Sequence, residues 1–311
     1  MDAVISKLIP IFILAFIGYC AGKLHILPDD TANALCSFLF YFCSPAVSFS
    51  NIINSDVGDI FNLRFALAVL VFELVVFGIL IGIYKTLFRI SGTSLIVHCL
   101  CSFYGNIAYV GIPIFLSLFD NIIPNVITVL VHMLFTFPLL VFLLDWFSGK
   151  ESRSGIGKTL LNSLKNPNIF VPIIGGLLLY FRIPVPQVIK DTADLLGKPT
   201  TTAGMFARGL TCSKNYSIRS SRHVFRDALF SAVIKLIFCP AAAFLVGRFI
   251  FRLDSWWLNS LVIISMLPAA LNDFILSQRY HSDEDFASVS VLLSTLLFSV
   301  TITLYILFIR L

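Results

Sequence analysis

Hydrophobic residues in this chain fall in long unbroken runs, without the period-two alternation of a half-buried strand. Ten runs can be counted, at about residues 3–21, 31–53, 63–87, 94–118, 126–146, 169–181, 185–212, 228–251, 256–276 and 286–309. A helix crosses the hydrocarbon core with about 20 apolar residues, and backbone polar groups in lipid must be satisfied within their own segment. Runs this long and continuous therefore read as helices and not as barrel strands. The pattern predicts an all-α polytopic membrane protein with ten transmembrane helices. At about 22 residues each, ten spans take about 220 residues and leave about 90 for connections and ends, which excludes a separate soluble domain.

The longest polar interval, 148–168, carries Lys150, Arg153, Lys158 and Lys165 and follows the fifth run. It divides the chain into a first five-helix repeat at 1–147, a cytoplasmic linker at 148–168 and a second five-helix repeat at 169–311. A shift of 162 residues superposes Pro10 on Pro172, Arg64 on Arg226 and Glu73 on Lys235, and a shift of 163 lays Ser102 on Ser265 and Gly105 on Pro268. Because five is odd, two such repeats must lie in opposite orientations, the inverted-repeat plan of many secondary transporters.

Composition sharpens this picture. The chain is 58% hydrophobic and 13% charged, with mean hydropathy +0.93, against roughly 25% charged residues in a soluble domain. The net charge of +5 sits in short gaps between apolar runs, so it reads as a topology signal and not as a nucleic-acid face. With the N-terminus outside, inner connections hold twelve Lys and Arg residues and outer ones seven, which predicts both termini non-cytoplasmic. The first run continues past Pro10 to Tyr19 with no basic segment before it and no A-x-A cleavage pattern, so it is expected to be a retained span. The seven cysteines lie in or beside apolar runs with no CxxC pair and read as reduced core residues; no metal site is expected.

Candidate chemistry concentrates in two corresponding runs interrupted by helix breakers. The fourth contains Gly105, Asn106, Tyr109, Gly111 and Pro113; the ninth contains Pro268, Asn272 and Asp273. Proline removes a donor and clashes with the preceding turn, so each helix is expected to open near its middle. The positive N-terminal end of a half-helix can then receive an anion, with Asn106 and Asn272 adding amide donors. For one span alone a packed, kinked helix is the plainer reading; corresponding breaks in both halves favour a binding site. A second polar pair joins Ser44-Pro45 to Lys198-Pro199 and the threonines after it, where tight packing and a polar path are equally good readings.

Intramembrane charges require individual accounts. Glu73 and Lys235 occupy equivalent repeat positions, as a structural ion pair or with Glu73 coupling protons. Arg208 stands to clamp a substrate carboxylate, to pair with Asp273 or to snorkel to the inner interface. His98 and His132 read as hydrogen-bonded core residues. The His25/Asp30 pair and the glycine-rich run at 155–159 resemble enzyme motifs only superficially, since no strand precedes the latter and the first glycine of a phosphate loop would fall at Ser152.

Gly105-Asn106, Gly111-Ile112-Pro113, Pro268 and Asn272, with Asn166-Pro167, Pro172, Gly175-Gly176, Ile183-Pro184-Val185-Pro186, Leu196-Gly197, Phe206-Ala207, Gly209-Leu210, Phe274, Arg279-Tyr280, Ala287-Ser288 and Leu292-Leu293-Ser294-Thr295-Leu296, resemble the auxin efflux carrier family in order over nearly the whole chain. The short linker is similar to that of the bacterial, malonate permease-like members. The resemblance implies ten spans as a 5+5 inverted repeat, with broken helices 4 and 9 crossing at the site, the fold shared with bile acid:sodium symporters. It also implies a scaffold part, a transport part and a small organic anion as substrate. Asn106, Pro113, Pro268 and Asn272 fall on the family's crossover. Ile107, Ala108, Asp273 and Arg208 depart from the family's usual small or apolar residues and alter the charge near it.

The expected function is a secondary active transporter of a small organic anion in the bacterial inner membrane, with a sodium-coupled symporter and a channel or receptor on the same fold as alternatives. An enzyme is not expected, for no catalytic constellation is found, and neither is a cofactor. The expected partners are the anion, the lipid bilayer and a second copy of the chain in a homodimer.

Overall fold

The computed structural model describes residues 2–28, 30–148, 167–214 and 222–309. The linker cations Lys150, Arg153, Lys158 and Lys165 and the run at 155–159 lie outside these residues. Five helices, Thr31–Ile53, Val57–Thr86, Ile123–Ser148, Arg222–Ile250 and Glu284–Leu307, are long and apolar enough to cross a membrane, and five shorter apolar helices accompany them.

In chain order we label α1 Asp2–Lys23, α2 Thr31–Ile53, α3 Leu63–Thr86, α4 Gly92–Phe103, α5 Ile112–Phe119, α6 Ile123–Ser148, α7 Pro167–Tyr180, α8 Gln187–Gly197, α9 Pro199–Lys214, α10 Arg222–Ile250, α11 Ser255–Met266, α12 Leu271–Arg279 and α13 Glu284–Ile309. Each of the ten apolar runs is thus helical, and three of them are split in two. The seventh breaks at Lys198, where Pro199 has no N–H to continue the ladder. Local chemistry sets several ends. Asn62 accepts from the Phe65 amide at 2.9 Å to start α3, Asp254 does the same from Trp257 at 3.2 Å for α11, and Asp120 in the left-handed region stops α5.

Side chains are distributed as in a bilayer protein. Phe16, Leu74, Ile237 and Leu296 are exposed on helix flanks, while Ser102, Thr128, Ser231 and Ser265 are buried. Two of these hydroxyls are satisfied one turn back in their own helix: Thr128 donates to Pro124 O at 2.7 Å and Ser102 to His98 O at 2.8 Å. The fold is that of a polytopic helical membrane protein.

Contacts divide the helices into two bodies. The first joins α1 to α9 and α2 to α7, α8 and α9; the second joins α3, α4, α6, α10, α11, α12 and α13. Helix α5 leans across onto α1 and α9. The α1–α9 contact is backbone on backbone: a Cβ on Gly209 would lie 1.8 Å from the Ala15 carbonyl oxygen, so only glycine allows this approach.

Candidate functional site

The two breaks meet. After α4 ends at Phe103 the chain runs extended through Gly105, which pairs antiparallel with Ala269 in an isolated bridge. The Asn106 amide donates to the Pro268 carbonyl at 2.9 Å, so two segments that could not satisfy their backbone groups alone satisfy each other. A Cβ on Gly105 would lie 3.3 Å from Lys235 Nζ and 3.4 Å from the Ile264 carbonyl oxygen, a crowding that glycine relieves.

The first break falls at residues 104–106, at the Gly105 that the shift of 163 sets on Pro268, and Pro113 adds no break of its own. Pro113 sits in the first turn of α5, where no intrahelical donor is needed, and a π-turn at Ile107–Gly111 carries the chain there, with the Gly111 amide bonded to Asn106 O at 3.0 Å. In the ninth run the break does fall at Pro268, between α11 and α12.

Polar side chains close the freed ends. The Asn106 Oδ1 accepts from the Tyr109 amide at 3.1 Å, capping the second half of its span. Asp273, in the first turn of α12, reaches back to the Ala270 amide at 3.0 Å, half of a capping box. Lys235 serves the opposite ends: its Nζ donates to Phe103 O at 2.5 Å and to Ser265 O at 2.9 Å, so one buried ammonium faces the negative C-terminal ends of both α4 and α11.

A cavity of about 70 Å³ borders the crossing. Asn106, Tyr109, Ala270 and Asn272 line it from the crossing side, Ser44 and Ser48 from α2, His132 from α6 and Asn168 from α7. Asn106 Nδ2 is buried with no partner. The opposite wall is pinned by Ser44 Oγ donating to Asn168 Oδ1 at 2.6 Å and by Asn168 Nδ2 donating to Phe40 O at 2.8 Å. Tyr109 turns its hydroxyl to Cys36 O at 3.3 Å.

Other predicted residues stand apart from this cavity. Gly111 packs on Asn125 and Leu267, and Pro268 contributes its carbonyl to the crossing. Glu73 and Lys235 line one small void together but form no ion pair. Glu73 Oε1 instead pairs with His132 Nε2, and its Oε2 accepts from Thr136 Oγ1 at 2.5 Å. Arg208 neither pairs with Asp273 nor snorkels. It is buried, and its Nη2 donates to Thr295 Oγ1 at 2.5 Å and to Ala269 O at 3.3 Å.

Sequence reasoning missed Ser48 and Asn168; His132 is the buried, hydrogen-bonded residue it was expected to be and lines the cavity as well. A polar residue in an apolar run carries no mark of whether it faces a cavity or a neighbouring helix. Only the first-turn position of Asn168 beside Pro167 sets it off.

Crossed, broken helices in a polytopic α-helical bundle are the arrangement found in many membrane transport proteins. A family model described as membrane transport protein matches residues 3–306, and the chain belongs to that family, the auxin efflux carriers. It is 25% identical to "Uncharacterized transporter YfdV" of Escherichia coli (strain K12), over 97% of this chain and 96% of that protein. It is 22% identical to "Putative malonate transporter" of Rhizobium meliloti (strain 1021), over 97% and 95%, and 22% identical to "Uncharacterized transporter MJ1031" of Methanocaldococcus jannaschii, over 95% and 94%. Family and relatives alike are named for transport, not for enzymatic activity.

Proposed function

We propose that the chain is a secondary permease moving a small organic anion, a carboxylate such as malonate or an auxin-like acid, across the bacterial inner membrane by alternating access. The observation that carries this reading is Asn106 Nδ2: a buried donor without a partner, beside Asn272, in a cavity bordered by the N-terminal ends of two half-helices. Such ends favour negative charge. The cavity is small, about 70 Å³, which favours a small ligand. The name of the Rhizobium relative points to malonate.

In this reading the chain is a 5+5 inverted repeat, 1–147 and 169–311 about the linker 148–168, with both termini outside. The body of α1, α2 and α7–α9 is the scaffold against which the other body rocks. His132 lines the cavity and bonds Glu73, so that pair is the group through which a proton couples. The sodium-coupled alternative requires free carbonyls for the ion, and those of Phe103 and Ser265 are engaged by Lys235.

Counterflow of labelled malonate into proteoliposomes preloaded with mono- and dicarboxylates tests the proposal. Exchange is expected with sodium replaced by choline, and is expected to vanish in Asn272→Ala. Silence across the panel from folded protein would overturn the carboxylate assignment, and strict sodium dependence would restore the symporter reading.

A further inference from the structure

A second cavity, of about 470 Å³, shares no lining residue with the first. Its walls come from α1, α9 and α13 and are largely apolar, with Phe12, Phe16, Leu292, Leu296 and Phe298 among them. Phe16 and Leu296 are 66% and 61% exposed on helices that lie in the bilayer, so the cavity opens sideways to lipid. Arg208, 3% exposed, lines it.

The guanidinium is incompletely satisfied. Its Nη2 holds Thr295 and the Ala269 carbonyl, while Nε and Nη1 are buried with no partner. It forms no ion pair among the described residues. A desolvated cation with two idle donors is costly in a membrane interior, and an anion arriving at those donors removes the cost through charge-assisted hydrogen bonds. Two cations line the cavity, Lys23, which is exposed, and Arg208, which is buried, so Arg208 is the one desolvated charge for a head group to neutralise, and the phenyl and leucyl walls suit an apolar tail. A cavity of this volume lies in the range of about 300–1,000 Å³ that accepts a sizeable organic ligand.

We infer that this cavity binds a monocarboxylate with a long apolar tail, a fatty acid entering laterally from the bilayer, with its carboxylate on Arg208 and its chain among the side chains of α1 and α13. The site is separate from the asparagine cavity, and the inference stands whether or not malonate is transported.

The test is photo-crosslinking of a diazirine-bearing palmitate to the full chain in nanodiscs of zwitterionic phosphatidylcholine, with labelled peptides mapped by mass spectrometry. Labelling of α1 and α13 is expected, competed by palmitate but not by its methyl ester or by malonate. It should fall about tenfold in Arg208→Gln, the loss of a charge-assisted hydrogen bond, and equally in Leu296→Trp, which narrows the mouth without touching the charge. Asn106→Ala should label as the wild type does. Competition by methyl palmitate equal to that by palmitate would overturn the role of Arg208, and competition by malonate would assign the cavity to the small anion. Undiminished labelling in folded Arg208→Gln or Leu296→Trp protein would also overturn the inference.

Discussion

Lys235 Nζ donates to the Ser265 carbonyl at 2.9 Å, and the same ammonium reaches Phe103 O at 2.5 Å, so one side chain ties the C-terminal ends of α4 and α11. Each end presents carbonyls that the break has deprived of partners. Lys235→Met keeps an unbranched stem of similar size but strands both acceptors. At about 1–3 kcal/mol for each buried group left unsatisfied, the variant is expected to lose about 2–6 kcal/mol. A melting curve of the purified protein checks this, and unchanged melting would show that the ammonium is dispensable to the crossing.

Asn272 and Asn106 should separate function from stability. Asn272 lines the cavity and only partly buries its surface, so Asn272→Ala is expected to melt with the wild type while malonate exchange is abolished. Asn106→Ala also removes the cap on the Tyr109 amide, a loss of about 1 kcal/mol, and should show a slightly lower melting temperature with the same loss of exchange. Wild-type flux in both folded variants would dismiss the site.

The one-dimensional features of this molecule were legible in its sequence. A span needs only a run of apolar residues, and the ten runs all form helix. The second break announces itself through Pro268, because a missing donor is a property of one residue. The first falls at residues 104–106, where the shift of 163 set Gly105 on Pro268, and Pro113 does not open the helix, since proline in a first turn costs nothing; the absent Cβ of Gly105 matters only where another chain segment comes close. Partnerships across helices were not legible. The expected repeat, read from a shift of 162 residues, set Glu73 opposite Lys235, and they do share a void, but Glu73 turns to His132 and Thr136 while Lys235 turns to two carbonyls. A sequence shift can set two positions opposite each other, but the choice of partner is left to rotamers and local geometry.

The Glu73–His132 pair gives a pH-based test. His132 meets the cavity on one side and Glu73 on the other. Glu73→Gln removes the charge that the imidazole faces while keeping the volume and an acceptor for Thr136. The pH profile of malonate exchange is therefore expected to differ between variant and wild type, measured with equal internal and external pH. Superimposable profiles with unchanged melting would remove both the coupling and the structural role of Glu73.

Gly209 tests whether the α1–α9 contact holds the first body together. Its missing side chain lets the two backbones meet, with a Cβ there only 1.8 Å from Ala15 O and 2.8 Å from the Tyr19 amide nitrogen. Backbone atoms cannot move aside as a flexible side chain can, so Gly209→Ala must push the helices apart along their length. Overpacking of this kind costs about 1–3 kcal/mol, and the intrinsic helix preference of alanine over glycine, about 1 kcal/mol, offsets only part of it. A net loss of melting temperature and of monodisperse protein is expected. The displacement also reaches Arg208, the next residue, so palmitate labelling of the second cavity should weaken in whatever protein folds. A variant as stable as the wild type would show that the two helices tolerate separation, and with it that their close approach is not what anchors the first body.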